Sequence, residues 1–394
     1  MISDPFKLTD ISWTSYLPTK ILFGLNTLNK IDEICSNYGK SALIVSGNSP
    51  LKTGLLNRCV TLLETAGIHV KNCNAITSEP TVHQVNEIVS YIRNHKFDML
   101  IALGGGSVID ATKAAAVIAI QGGKAEEYLT ENKKLTDKTI PVIAIPTTAG
   151  TGAETSKGAI ISWPEKELKG GIRGNMIFPK AAIVDPELTL TLSPEFTRIT
   201  GFDIFTHAVE TYLSRKATYV TALFSRQAIK AVTQYLPKIL LNPNDLEARA
   251  NLSFYSMLMG YNLANSSTCL PHRLQYPLGV LTGTPHALGL AALYPAWVKT
   301  TYQKSSKRFD DIAEWMGGAL DTEIENKPSD IYNLLILFMK TVDLLPAIQD
   351  LGITENMCDQ LAKLVSGNLA NDPWWHEEAD ISVIYREAFN FQPD

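Results

Sequence analysis

Short runs of apolar residues, each ending in glycine, proline or a small polar residue, recur through the first half of the chain. Such runs are typical of parallel strands buried on both faces. A further stretch, 19–24, also predicts a strand, and the residues before it read as an extended arm. The apolar runs occupy 41–47, 98–103, 141–146 and 181–186, with helical periodicity at 54–66, 82–95 and 108–119 and a polar, hairpin-like segment at 154–180.

The pattern changes from Ser193 onward, where long segments with a period of 3.6 residues dominate. These segments predict helices at 220–240, 246–264, 286–301, 304–318, 328–342 and 353–366. We therefore predict an α/β dinucleotide-binding domain with a Rossmann-like parallel sheet at 1–190. An all-helical domain that carries the metal and substrate site is predicted at 191–394. No long linker separates the two, so we expect a cleft between packed domains.

Composition narrows the function classes. The 394 residues are 45% hydrophobic with a net charge of −5, and no basic stripe points to a nucleic-acid partner. No run approaches the roughly 18 apolar residues of a membrane span, and the chain does not begin with a secretory signal. Five cysteines without Cys-x-x-Cys spacing favour reduced thiols. We therefore expect a cytoplasmic protein that acts on a small molecule.

A glycine turn follows the second apolar run. Gly104, Gly105, Gly106 and Ser107 lie between a predicted buried strand and an alanine-rich helix. Because glycine lets the backbone approach a ligand and a helix N-terminus favours negative charge, this context predicts a phosphate-binding turn.

The next strand ends in a threonine-rich loop that contains Thr147, Thr148 and Thr151. Ligands of open parallel sheets bind beyond the carboxyl ends of the strands, so we expect both loops to contact one cofactor. The alternative for the threonines is ordinary turn chemistry.

Four residues suggest a metal site. Asp203 and His207 stand four apart in a segment that predicts one helix face. His272 and His286 lie among apolar neighbours rather than in charged stretches. One carboxylate and three imidazoles suit Fe(II) or Zn(II). The alternative is a helix-surface ion pair or a capped core histidine.

Taken together, the motifs resemble the iron-containing (group III, metal-dependent) alcohol dehydrogenase family. The matching segments are Gly-Gly-Gly-Ser-x-x-Asp, Pro-Thr-Thr-x-Gly-Thr-Gly-x-Glu, Asp-Pro-x-Leu and Gly-x-Asp-x-x-x-His-Ala-x-Glu-x-Tyr, followed by the two later histidines. The resemblance implies a dehydroquinate synthase-like fold, a nicotinamide cofactor, the four metal ligands above and a homodimer. It also implies cofactor contacts from Lys169 and from Leu188 of the Asp-Pro-x-Leu motif.

The resemblance bears on the choice of nicotinamide cofactor as well. Family members that prefer NAD carry an aspartate at the end of the early strand, where this chain has Gly47 in Ser46-Gly47-Asn48-Ser49. NADP is therefore permitted and slightly favoured over NAD, because a 2′-phosphate meets no acid there.

Two residues are candidates for catalytic roles. Asp110 resembles a family residue at the nicotinamide end of the glycine loop. Its alternative is a first-turn helix acid that meets the helix dipole. Tyr276 stands where many members have a further histidine thought to pass the proton to solvent. A phenol can relay a proton through a hydroxyl chain, and the alternative is that Tyr276 packs beside Pro277.

Two basic residues bear on the substrate. Lys157 follows the threonine-rich loop and Arg273 follows a predicted metal ligand directly. Together they suggest an anionic group on a small aldehyde, and the alternative is that both face solvent or bind cofactor phosphate.

The leading hypothesis is a metal-dependent, NAD(P)-linked alcohol dehydrogenase or aldehyde reductase. Its alternatives are a glycerol-dehydrogenase-like polyol enzyme or a lyase like dehydroquinate synthase. A non-catalytic binding protein is disfavoured because all four ligand positions are filled.

Overall fold

The computed structural model describes residues 12–76, 79–130, 133–320 and 328–393. Six strands form one sheet: β1 Lys20–Phe23, β2 Ser41–Ser46, β3 His69–Cys73, β4 Met99–Gly104, β5 Val142–Pro146 and β8 Ala181–Val184. Every neighbouring pair is parallel, in the order β1-β8-β5-β4-β2-β3. The predicted Rossmann-like parallel sheet is therefore confirmed.

Helices cover both faces of this sheet. They are α1 Ile31–Cys35, α2 Asn48–Lys52, α3 Leu55–Thr65, α4 Val82–Asn94, α5 Gly106–Gln121 and α6 Ala125–Thr130. One apolar core joins the sheet to α4 and α5, and a second joins it to α1 and α3. All residues of β4 and β5 are buried as a result, which explains their continuous apolar runs. The sequence did not predict β3, because this edge strand is largely exposed and polar.

The polar segment at 154–180 contains the hairpin that its sequence predicts. Strands β6 Gly158–Trp163 and β7 Leu168–Arg173 pair antiparallel, with Gly158 opposite Arg173. The hairpin packs against α5 on one side and the helical half on the other.

The second half is helical, as predicted. Its helices are α7 Pro194–Leu213, α8 Tyr219–Leu241, α9 Leu246–Asn265, α10 Leu270–Thr282, α11 His286–Thr301, α12 Ser306–Gly317, α13 Ile331–Thr341, α14 Met357–Leu364 and α15 Ser382–Asn390. Helix α10 was not among the predicted helices because Pro271, Pro277 and Gly279 obscure its periodicity. The domain boundary at residue 190 stays a prediction, and it falls between the end of β8 and the start of α7.

The described part of the predicted N-terminal arm, 12–19, has no regular structure before β1 begins. The amide of Tyr16 donates to the Asn265 side chain over 2.9 Å, so the arm lies against the helical half. The arm's first eleven residues are outside the described ranges. Within those ranges, no helix has the length and apolarity needed to cross a membrane.

The threonine-rich loop packs directly on helix α9. A Cβ atom added to Gly152 would lie 2.4 Å from the amide nitrogen of Gly260, so the two backbones touch. The amide of Gly150 donates to the Ser256 hydroxyl over 2.8 Å, and the Thr155 hydroxyl donates to the Met257 carbonyl over 2.5 Å. The two halves of the chain are therefore packed together at the carboxyl end of β5, as expected.

A buried polar cluster lies behind this loop. The Lys113 ammonium pairs with Asp110 over 3.2 Å and donates to the Ala153 carbonyl over 2.9 Å. Asp110 also accepts from the amide of Ile160 in β6 over 2.9 Å. The cluster therefore ties α5 to the loop and to the hairpin. Glu154 is buried beside it, and this burial raises the pKa of its carboxyl to about 7.

We expect Glu154→Gln to raise the free energy of unfolding by roughly 1–3 kcal/mol near pH 8. Near pH 5 the substitution should change the free energy of unfolding little. The raised pKa means that Glu154 contributes stability below its unfolded-state pKa and loses it as pH rises through about 7. Glutamine is neutral throughout and avoids that loss. Urea unfolding with chelator present, with the exposed Glu64→Gln as control, measures the difference. An equal change in the free energy of unfolding at pH 5 and pH 8 would contradict the raised pKa of Glu154.

Candidate active site

The glycine turn forms a close-packed surface at the start of α5. Helix α5 begins at Gly106, directly after β4 ends at Gly104. A Cβ on Gly104 would lie 2.7 Å from Val108, and one on Gly106 would lie 2.6 Å from Thr151. Side chains larger than glycine therefore do not fit at these two positions.

The glycine turn and the threonine-rich loop are in contact, as the sequence predicted for loops at the ends of neighbouring strands. The amide of Thr147 donates to the Gly104 carbonyl over 3.0 Å. A Cβ on Gly105 would lie 3.2 Å from Thr148. Ser107 lies in the first turn of α5. The two loops thus form one surface, and the binding of dinucleotide phosphates by its helix amides and hydroxyls stays a prediction.

Gly47 and Leu188 follow β2 and β8, the strands on either side of β4 and β5. Gly47 follows β2, and a Cβ added there would lie 3.2 Å from the Ile76 carbonyl and 3.7 Å from Val108. Leu188, in a short 3-10 helix after β8, is buried in the sheet core. Their cofactor contacts stay predictions.

Asp110 lies in the second turn of α5, since the helix begins at Gly106. The alternative of a first-turn acid is therefore wrong for this residue. Its carboxylate contacts Lys113 and the Ile160 amide, which gives it a role in holding the hairpin against α5. A contact with the nicotinamide stays a prediction.

Asp203, His207 and His272 form a compact buried group, hereafter the metal group, since all three are candidate metal ligands. Asp203 and His207 lie four apart on α7, and His272 comes from α10. Each of the three offers one ligand atom within 4.8 Å of the others. The Asp203 carboxylate oxygen Oδ1 lies 3.7 Å from Nε2 of His207 and 3.8 Å from Nε2 of His272, beyond hydrogen-bonding distance.

These side chains fit a divalent metal. The buried Nε2 of His272 has no hydrogen-bond partner among the described residues, which would be costly unless an ion occupies the space. Burial lowers the pKa of His207, and it lowers the pKa of His272 to about 4, so both imidazoles are neutral, the form that binds metals.

His286, the fourth predicted ligand, stands beside the group at the start of α11. Its ring is edge-on to that of His272, with centroids 5.2 Å apart. Its Nδ1 is hydrogen-bonded to the Gln275 side chain, which leaves Nε2 as the nitrogen for a metal. Burial also lowers the pKa of His286 well below its usual value.

Glu210 is a site residue that the sequence analysis did not assign. Its Oε1 lies 2.7 Å from Nδ1 of His272, and its Oε2 accepts from the Cys269 amide over 2.9 Å. A carboxylate on the far nitrogen of a ligand histidine fixes the ring and its tautomer. The sequence did carry a signal, because Glu210 is seven residues after Asp203 and three after His207 on the same helix face.

The start of α10 is held by a second carboxylate from the end of the chain. Asp372 accepts from the Leu270 amide and from the Trp297 indole, each over 2.9 Å. With Glu210 on the Cys269 amide, two buried acids meet the first amides of this helix. Glu210 and Asp372 together therefore fix the start of the helix that carries His272.

Tyr276 lies at the centre of several basic side chains. The Lys169 ammonium is 5.6 Å and the Arg273 guanidinium 5.4 Å from the ring centroid of Tyr276. Its ring centroid is 6.2 Å from that of His286. Lys169 also forms an ion pair with Glu79 over 2.6 Å. Tyr276 is therefore near the metal group, where its predicted role requires it.

Arg173, the last residue of β7, is a second residue that the sequence analysis did not assign. It is solvent-accessible, yet protein surrounds enough of the guanidinium to lower its pKa. Tyr276 and Asp110 oppose this shift, whereas Arg273 adds to it. A basic residue in a polar hairpin gave no sequence signal.

Lys157 and Arg273, the predicted substrate residues, have different neighbours. Lys157 is half-buried, and burial together with the charge of Lys216 lowers its pKa. Arg273 is buried on α10 next to Tyr276. The pairing of Lys157 with Arg273 on one anion stays a prediction.

Comparison with known proteins identifies the family. A model described as iron-containing alcohol dehydrogenase matches residues 18–186. A second model, for the C-terminal region of the Fe-containing alcohol dehydrogenase family, matches residues 197–389. The chain therefore belongs to the iron-containing alcohol dehydrogenase family and is an oxidoreductase of that type.

Individual relatives agree over nearly the whole chain. The long-chain-alcohol dehydrogenase 1 of Geobacillus thermodenitrificans is 32% identical over 366 residues, covering 91% of this chain and 92% of the relative. A Red Sea brine pool archaeal alcohol dehydrogenase superposes with a TM-score of 0.89 at 27% identity, covering 96% and 99% of the two chains. The sulfoacetaldehyde reductase of Bifidobacterium kashiwanohense, solved with NAD+, has a TM-score of 0.85 at 25% identity, with 97% and 100% covered.

We expect Glu210→Ala to weaken metal binding by about 10- to 100-fold while the fold persists. Without its carboxylate partner, His272 loses the interaction that fixes its ring and tautomer. Competition with a chelator of known affinity measures the change. Glu195→Ala, at an exposed position on the same helix, is the matched control. Unchanged metal affinity in a folded Glu210→Ala protein would show that His272 is positioned by other contacts.

Proposed function

We propose that the chain is a metal-dependent, NAD(P)-linked alcohol dehydrogenase or aldehyde reductase for small substrates. The observation that supports this most is the buried group of Asp203, His207 and His272, in which Nε2 of His272 has no hydrogen-bond partner among the described residues. The reaction converts an aldehyde, NAD(P)H and a proton into an alcohol and NAD(P)+, or the reverse.

Asp203, His207, His272 and His286 would hold the metal, with Fe(II) as the family's typical ion and Zn(II) suited to the same ligands. When bound, the metal supplies Lewis acidity toward a substrate oxygen and the nicotinamide supplies or accepts the hydride. Glu210 and Gln275 orient two of the ligand rings through their Nδ1 atoms. The protein thus fixes the donor set before substrate arrives.

The remaining residues bind the cofactor and handle the proton. Gly104, Gly105, Gly106 and the threonines 147, 148 and 151 would bind the cofactor phosphates, and Lys169 would contact the cofactor from β7. Tyr276 would exchange a proton at its phenol oxygen, since it stands between the metal group and the basic side chains. We also propose that the protein works in the cytoplasm as a homodimer. All five cysteines are unpaired, which fits a reducing compartment.

The relatives do not select one substrate. Their names state long-chain alcohols, 1,3-propanediol, methanol and sulfoacetaldehyde. The methanol dehydrogenase is named as NAD-dependent, and a structurally similar butanol dehydrogenase A of Thermotoga maritima is named as NADH-dependent. A polyol dehydrogenase or a cyclising lyase on the same fold is the alternative function, and the lyase would need a phosphate-binding set of basic residues at the metal.

The direct test is metal content of protein purified without oxygen, together with NADH and NADPH oxidation over a panel of short aldehydes. We expect one metal per chain and turnover that is lost in His286→Ala. Metal without turnover of any aldehyde would favour the lyase. A folded protein that binds no metal would contradict the proposal at its first step.

Cofactor choice gives a separate prediction. We expect Gly47→Asp to raise the KM for NADPH by at least about tenfold and to affect NADH less, because the new carboxylate repels a 2′-phosphate. Gly47→Ala separates this charge effect from steric crowding at the Ile76 carbonyl, which lies 3.2 Å from the added Cβ. Equal changes for both cofactors in the aspartate variant would show that residue 47 does not face the ribose.

A further inference from the structure

Two arginines beside the metal group have no anionic partner of their own. Neither Arg173 nor Arg273 forms a salt bridge with any residue in the described ranges. The Arg273 side chain is buried, and its Nε has no hydrogen-bond partner there. Burying a guanidinium without a partner is costly, so an anion is expected to complete its contacts.

The nearby acids are each engaged elsewhere. Asp110 pairs with Lys113 over 3.2 Å, and Glu79 pairs with Lys169 over 2.6 Å. Glu210 is 2.7 Å from His272, and Asp203 belongs to the metal group. None of these acids therefore neutralises the positive charge of Arg173 or Arg273.

The Arg173 guanidinium lies against the backbone of Gly171, and the Arg273 guanidinium lies beside Gly367. A Cβ on Gly171 would lie 2.5 Å from Cζ of Arg173, and Arg173 Nη1 donates to the Gly171 carbonyl over 3.2 Å. A Cβ on Gly367, whose φ is +93°, would lie 3.6 Å from Nε of Arg273. Any larger residue at Gly171 would displace the Arg173 guanidinium.

Tyr276 joins the two arginines. Its ring lies under the Arg273 guanidinium at 5.4 Å, and strand β7, which ends at Arg173, packs against α10, the helix that carries Tyr276. The phenol also opposes the lowering of the Arg173 pKa. Arg273 follows His272 on α10, and the Tyr276 ring that its guanidinium covers has its centroid 6.2 Å from that of His286. An anion bound by the arginines would therefore lie on the Tyr276 side of the candidate metal ligands.

The geometry points to Arg173 and Arg273 as the recognition site for a terminal oxyanion on a short aldehyde substrate, with Tyr276 as a positioning residue. Guanidinium forks match carboxylate and phosphonate oxygens bidentately. This inference rests on the proposed reductase function. The anion takes no part in the reaction, in which hydride goes to the aldehyde carbon and a proton to its oxygen.

The kinetic test compares succinate semialdehyde with butanal, which have equal length, and adds phosphonoacetaldehyde to separate the two oxyanion types. We expect the wild type to prefer the anionic aldehydes in kcat/KM. Arg273→Gln and Arg173→Gln should lower that preference by at least about tenfold each. Arg273→Lys should restore part of the preference, and the surface variant Arg386→Gln should keep it whole.

Calorimetry on the metal-loaded protein without nucleotide gives a readout independent of turnover. We expect 4-hydroxybutanoate to bind more tightly than 1-butanol, and the difference to disappear in Arg273→Gln.

Butanal turnover with no preference for the acid would overturn the inference while the reductase function stands. If no aldehyde reacts, the reductase function fails, and equal binding of the two alcohols would overturn the anion site separately. A raised KM for the nicotinamide cofactor, without loss of anion preference, would assign the arginines to the cofactor instead.

Discussion

The contact between the backbones of Gly152 and Gly260 is the constraint on which the site depends. A Cβ at Gly260 would lie 2.0 Å from the Gly152 carbonyl oxygen, so only glycine allows this approach. The contact presses the threonine-rich loop of the sheet against α9, while a Cβ at Gly150 would meet Thr200 of α7 at 3.0 Å. The threonine-rich loop is therefore held in one fixed position relative to α7, the helix that carries Asp203 and His207.

The candidate metal ligands depend in turn on buried acids outside the ligand set. Glu210 meets both the His272 ring and the Cys269 amide, so the same side chain orients the ligand and the helix that carries it. Asp372, near the end of the chain, accepts from the Leu270 amide and from the Trp297 indole. Burying these acids is costly, and each is satisfied by two or more donors, which makes the arrangement rigid.

The sequence predicted what leaves a periodic or apolar signal. The inner strands β4 and β5, the long helices and the facing pair Asp203 and His207 all follow from residue patterns. The edge strand β3 was not predicted, because an exposed strand has no apolar run. Helix α10 was not predicted either, because its prolines mask the helical period. Arg173 was also missed, since its role arises from the meeting of β7 with α10, which no local pattern encodes.

An anomalous-difference map from crystals grown without oxygen, recorded on both sides of the iron and zinc absorption edges, would show directly whether the candidate metal ligands bind a metal. One peak enclosed by Asp203, His207, His272 and His286, at one of the two edges, is the expected result. A peak surrounded by other residues, or no peak at this position in protein shown to contain metal, would contradict metal binding by these four residues.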